Sequence, residues 1–338
     1  MRAIVLPVFL LSCSDYDLTQ GADQPGEKPS GRDSFSPDAE TAETSDSGET
    51  GRGDAELPSE PLPEGKVDVA LLIDVAYFYD CYHADLALNT AALVEALLDS
   101  GADVAIGIAA FDDYAVDGEW FNAWDGVPYD LGTQITTDRS RLLSVAGSLS
   151  LEWGGDGAGT GYEALRQAGE GNGYDQDCDG NLDAANDIAP MQSSRSDAFG
   201  GKVSGEYNSG VAGTGTEGGL AFRKGSKRVF VLITENGIRE AKYGDTMPKG
   251  SCPAGADKSD AVGAITANSG KFLGVNAYEF WDVDQKPQEQ LEALASQTNS
   301  KIDKDGDGTK SDLAVFGEDW NWPSTATLVT AIWQLAGA

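Results

Sequence analysis

The chain has 338 residues, enough for one large domain or two small ones with a substantial core. Its 40% hydrophobic content is ordinary, but 23 basic residues against 56 acidic ones give a formal net charge of -33. Such a surface repels nucleic acid and anionic membranes, and it makes divalent cations the first cofactors to look for.

In the opening "MRAIVLPVFLLSC", Arg2 precedes an apolar run, Ala3 to Leu11, that is too short to span a bilayer and reads as a targeting segment. Its ending, Leu10-Leu11-Ser12-Cys13, resembles the lipobox of bacterial lipoproteins, although the run is shorter than such signals usually are. The resemblance implies cleavage before Cys13 and acylation there. That would place the protein in the bacterial cell envelope, at the outer membrane or cell surface, touching the membrane through its lipid alone. From Ser14 to Lys66 there are 14 acids against four bases and almost no aromatic or branched side chains. Residues 14–65 therefore read as a disordered acidic tether, and Arg52-Gly53-Asp54 within it as a chance tripeptide. Export permits a disulfide among Cys81, Cys178 and Cys252, with one thiol left over and the pairing open.

From residue 66 to 338, strand and helix patterns alternate. Val67 to Ile73 predicts a buried strand. Ala84 to Leu98 predicts a helix with Leu86, Thr90, Leu93 and Leu97 on one face. Val104 to Phe111 is a second buried strand; Trp120 to Trp124 and Val127 to Gln134 suggest an edge hairpin. Helices are expected over Asp138 to Leu149 and Gly161 to Ala168, before a Gly- and Asp-rich insertion at about 169–227 with little core of its own. Strands at Arg228 to Thr234, Lys271 to Ala277 and Leu313 to Phe316 then alternate with helices at Ser259 to Ser269, Pro287 to Gln297 and Ser324 to Leu335. This is an α/β, Rossmann-like pattern, predicting a mainly parallel sheet with helices on both faces and ligands at the carboxyl ends of its strands.

Three segments line up in order: "VDVALLID" ending in Asp74, "LEWGGDGAGTGYEAL" with Asp156 and Thr160, and "KRVFVLITEN" with Glu235. With "FDDY", "SDAFGG" and "DKDGDG", they resemble the von Willebrand factor A-type (VWA) domain, as carried by bacterial lipoproteins. The resemblance implies a metal-ion-dependent adhesion site in which an Asp-x-Ser-x-Ser loop, a Thr or Asp and a later Asp hold Mg2+ in near-octahedral geometry. Here the two serines are replaced by Ala76 and Phe78 and the last Asp by Glu235, so Mg2+ should bind poorly and the adhesion site is degenerate. Asp74 would then hydrogen-bond its own loop. Tyr77, Phe78, Tyr79 and Tyr82 either pack where ion and water would have been or form a metal-free contact surface.

Two acidic loops carry the chemistry of a different ion. "YDQDCDGNLDAAND" sets Asp175, Asp177 and Asp179 before Gly180, and "DKDGDGTKSD" sets Asp303, Asp305 and Asp307 before Gly308. Alternating aspartates ahead of a glycine curl carboxylates and a backbone carbonyl onto one point, as Ca2+ prefers. Asn181 and Thr309 fall at the carbonyl position. Asp183 or Asp187 would complete the first loop and Ser311 or Asp312 the second. With no Glu at the twelfth position, neither is an EF-hand. The expected cofactor is structural Ca2+. The single histidine, His83, and the lack of a nucleophile or zinc motif argue against an enzyme. The reading is a non-catalytic cell-surface lipoprotein that binds a protein or extracellular-matrix partner. A structural envelope or matrix assembly protein is the alternative, and a glycan-directed hydrolase the weaker one.

Overall fold

The computed structural model describes residues 61–76, 80–114, 127–149, 158–176, 178–180, 187–188, 190–191, 211–245, 247–248, 253–277, 287–317 and 323–337, with backbone alone for 80–85. The chain enters the sheet at its centre with β1 (Lys66–Asp74), turns through α1 (Asp80–Asp99), and lays down β2 (Asp103–Phe111) and β3 (Asp130–Thr136) on one side. Helix α2 (Arg139–Ser148), the short β4 (Ala158–Gly159) and α3 (Gly161–Glu170) follow. The chain then crosses to the other side of β1 for β5 (Lys227–Thr234), β6 (Gly237–Ile238), α4 (Lys258–Ala267), β7 (Lys271–Asn276) and α5 (Pro287–Gln297). It closes with β8 (Lys301–Ile302), β9 (Asp312–Leu313), β10 (Val315–Phe316) and α6 (Thr325–Leu335).

The main sheet runs β10-β7-β5-β1-β2-β3, parallel except for β3. Its interior strands are near-continuous apolar runs because both faces are covered. On β1, Val67, Val69, Leu71 and Ile73 join the core beneath α1, α2 and α6, while Ala70 and Leu72 join the core beneath α3, α4 and α5. Local signals set the helix starts. Asp138 caps α2 by accepting from the Arg141 amide, Asp257 and Asp260 form a capping box on α4, and Ser324 caps α6. Because successive strands leave β1 in opposite directions, a crevice opens at the carboxyl ends of β1 and β5.

The structure departs from the sequence reading in four places. Helix α1 begins at Asp80 rather than Ala84, and β3 begins at Asp130 and pairs with β2. Residues 120–124 lie outside the described residues. The predicted strand at 313–316 divides at Ala314 into β9, which pairs with β8, and β10, which pairs with β7. The largest departure is the insertion, since residues 169 and 170 belong to α3 and its final part is core. Leu220, Ala221 and Phe222 are fully buried, and the backbone of this segment covers the outer rim of β3, where Ile135 donates to Leu220 and Thr137 to Ala212, each at 2.9 Å. An exposed edge is thereby paired. The glycines that make this stretch look like free loop serve contact instead. A Cβ at Gly219 would lie 1.7 Å from the Gln167 carbonyl oxygen, and one at Gly215 would lie 1.9 Å from that of Phe222.

Candidate functional site

Asp74 ends β1 at the crevice, fully buried. Both of its oxygens are engaged. Oδ1 accepts from the Ala76 amide at 3.0 Å and Oδ2 from the Thr234 hydroxyl at 2.6 Å, across the gap between β1 and β5. Burial pushes its carboxyl up to about 6, against the opposing pull of the Thr234 hydroxyl and the Ala76 amide. A Cβ on Gly159 would stand 3.3 Å from Oδ2, so the β4–α3 turn closes over the carboxylate and only a glycine leaves ordinary room there. Thr160 is buried beside it, with its hydroxyl 3.0 Å from the carbonyl oxygens of both Asp112 and Pro128. Glu235 is buried just after Thr234. The structure thus brings the β1, β4 and β5 loops together at Asp74 but turns that aspartate's lone pairs, and the Thr160 hydroxyl, onto protein. Asp156, Tyr77, Phe78 and Tyr79 lie outside the described residues, as does the side chain of Tyr82.

The polar groups that tie this end of the sheet together escaped the sequence reading. Asp113, within the quoted "FDDY", forms a buried ion pair with Arg239, whose Nε lies 2.7 Å from Asp113 Oδ1. Arg239 also donates to the Ala158 carbonyl, pinning the turn before α3. Glu163 on α3 is fully buried and accepts from the Tyr114 hydroxyl, Arg166, Gln167 and the Ala256 amide. At the amino end of β1, Asp68 interrupts the apolar run. Burial pushes its carboxyl up, and the Arg223 guanidinium, from the insertion, opposes that shift. The one available signal was an acid inside a strand buried on both faces, which requires a partner.

The second candidate site is the loop between β8 and β9. One carboxylate oxygen from each of Asp303, Asp305 and Asp307 lies within 4.8 Å of the others. Asp303 organises the loop. Oδ1 accepts from the amides of Gly306 at 2.8 Å and Asp307 at 3.1 Å, and Oδ2 from that of Gly308 at 2.8 Å. Burial pushes the Asp303 carboxyl up, but these amides outweigh it and hold the group below the ordinary carboxylate range. Asp307 accepts from the Thr309 amide, and Asp312 accepts from the Lys304 amide at 3.1 Å, closing the ring. Gln334 at the end of α6 holds the Asp303 backbone from both sides. Such an all-oxygen set fits Ca2+.

The first acidic loop repeats this construction. Asp175 accepts from the amides four and five residues ahead, Asp179 and Gly180, as Asp303 does from Asp307 and Gly308. Gly180 and Gly308 share a φ of +85°. Asp187 accepts from the Gln176 amide as Asp312 does from Lys304. Of the expected ligands, Asp177, Asn181 and Asp183 lie outside the described residues. Cys178, within this loop, is disulfide-bonded.

No protein-family model and no curated protein matches the sequence. Among solved structures, the chain is similar to proximal thread matrix protein 1 from the mussel byssus, at 8% identity and a TM-score of 0.34. That match covers 63% of this chain and 36% of the other, so the chain spans little more than a third of the mussel protein. It is also similar to an aerotolerance-related membrane protein from Bacteroides fragilis, at 11% identity and a TM-score of 0.38, covering 80% of this chain and 98% of that one. Among the described residues, no helix is long and apolar enough to cross a membrane.

Proposed function

We propose that the protein is a non-catalytic binding lipoprotein of the bacterial cell envelope, with a VWA-like domain held off the membrane by an acidic tether acylated at Cys13. The observation that carries the reading is the state of Asp74. It stands where a sheet of this order places its ligand site, yet Ala76 and Thr234 consume both of its oxygens. An internally satisfied carboxylate is a weak Mg2+ ligand and a weak base. The surface above it therefore acts by contact with a protein or matrix partner, without an ion at Asp74. Ca2+ has a separate, structural role in the acidic loops.

Capture of partners from cell-surface extract, with and without EDTA, tests the reading. Retention of the same partners by wild type in EDTA, and by Asp74→Asn, supports contact independent of metal. Loss of capture under both changes overturns it. The anchor is tested by Cys13→Ser, which should move the protein out of the membrane fraction. A variant that stays membrane-bound after a carbonate wash rules out lipidation as the tether.

A further inference from the structure

We infer that the cleft between β2, β3 and α2 is a binding site for an aliphatic cation, such as a lysine side chain presented by a basic partner. The cleft encloses about 100 Å³, walled by Ile108, Ala110, Val145 and Leu149, with Val75 at its end and Asp130 on its lining. Its floor is set by a close approach, since a Cβ on Gly132 would meet Val145 Cγ1 at 2.5 Å. Helix α2 thus rests directly on β3 at that point, and the space opens beyond it.

Asp130 supplies the specificity. It is exposed, and no hydrogen bond or ion pair to its carboxylate occurs among the described residues. Although part of it meets solvent, the apolar groups around its carboxyl push it above the ordinary range. A carboxylate in such surroundings without a counter-charge is costly, and an arriving cation relieves that cost. The walls suit the methylene stem of the same ligand, because long cationic side chains bury their stems on apolar surface. The volume is below the roughly 150 Å³ of an apolar cavity that admits benzene, so it fits a four-carbon chain better than an aromatic ring. The chain's formal net charge of -33 steers cations toward it. The cleft lies toward the carboxyl end of β2, the same end of the sheet as Asp74.

That the natural occupant belongs to a protein rests on the binding reading above; the pocket itself does not, and a small probe separates the two. The full chain, with Ile, Leu and Val methyl groups labelled, is titrated with n-butylammonium, n-butanol and butyrate at low salt. The expected result is shifts confined to Val75, Ile108, Val127, Val145 and Leu149, with n-butylammonium binding at least tenfold more tightly than either other probe. Asp130→Asn should lose at least tenfold in that affinity, and Ala110→Leu, which fills the cleft, should abolish it. Unchanged melting temperatures verify that both variants fold. Equal affinity for butanol and butylammonium, unaltered affinity in Asp130→Asn, or no shift at the lining methyls would each overturn the inference, whatever the extract experiment shows.

Discussion

Asp74 and Asp303 are both buried aspartates at the end of a strand, and they titrate in opposite directions. Asp74 is fully enclosed at the end of β1, where burial outweighs the hydrogen bonds from Thr234, Ala76 and Asn236, so its carboxyl rises to about 6. Asp303 receives three amides from its own loop and falls below the ordinary range. The lesson is that the balance of burial against donated hydrogen bonds, and not the donors alone, sets a carboxylate's charge. In the sheet, acids hold elements together. In the loop, Asp303 shapes a ring so that exposed Asp305 and Asp307 can present oxygens outward.

The comparison can be broken first at Asp68, the most deeply committed sheet acid. Asp68→Ala strands the buried Arg223 guanidinium and should cost about 3–5 kcal/mol in chemical denaturation. A loss below ~1 kcal/mol would show that Asp103 and the backbone carbonyls suffice to hold Arg223.

Next comes pH. An unfolded aspartate titrates near ~3.9, below the folded value of about 6 for Asp74, so between those values the folded state binds more protons. The Asp74 contribution should therefore make stability fall as pH rises through that window, by about 3 kcal/mol in all. Asp74→Asn should remove this fall. Asp303, with a lowered folded value, should show the opposite sign, its contribution present above about pH 4 and lost in more acid solution. Matched denaturation series at pH 3 to 7 read both signs, and a common sign for the two would dissolve the contrast.

A smaller effect is expected from Ca2+, which should stabilise the fold by about 2.7 kcal/mol per site when a hundredfold above its dissociation constant. The double change Asp305→Asn with Asp307→Asn spares the hydrogen bonds of Asp303 and should remove the share belonging to that loop, with Mg2+ substituting poorly. A melting curve indifferent to EGTA would reduce both loops to acidic turns. Smallest of all, in EGTA, Asp312→Ala should cost about 1 kcal/mol through its lost Lys304 bond. Asp305→Ala, exposed, should stay within ~0.5 kcal/mol. Adding Ca2+ should raise the cost of Asp305→Ala, whose carboxylate lies in the acidic cluster.

The two regions were also unequally legible. The Asp303 loop is written in consecutive residues, and the hydrogen bonds its own carboxylates accept span eight positions or fewer, so pattern alone locates it. The strands were equally plain, because burial on both faces leaves little choice but Val, Ile, Leu and Ala. What Asp74 does depends on Thr234, 160 residues away, which in sequence is merely the end of another strand. Asp68 and Arg223 are 155 residues apart, and the glycines ahead of Arg223 disguise packed backbone as loose loop.

The segment that seals β3 has a consequence at the scale of many molecules. In polymer terms a β-sheet is bifunctional, since each rim can add another unit and growth has no natural end. Among the described residues, one rim is partly covered by Ala212 and Leu220 of the same chain, and the other offers the two residues of β10. A unit with one end partly covered and the other short is a poor link for propagation. Crowded copies of this domain would therefore find little open edge on which to extend the sheet.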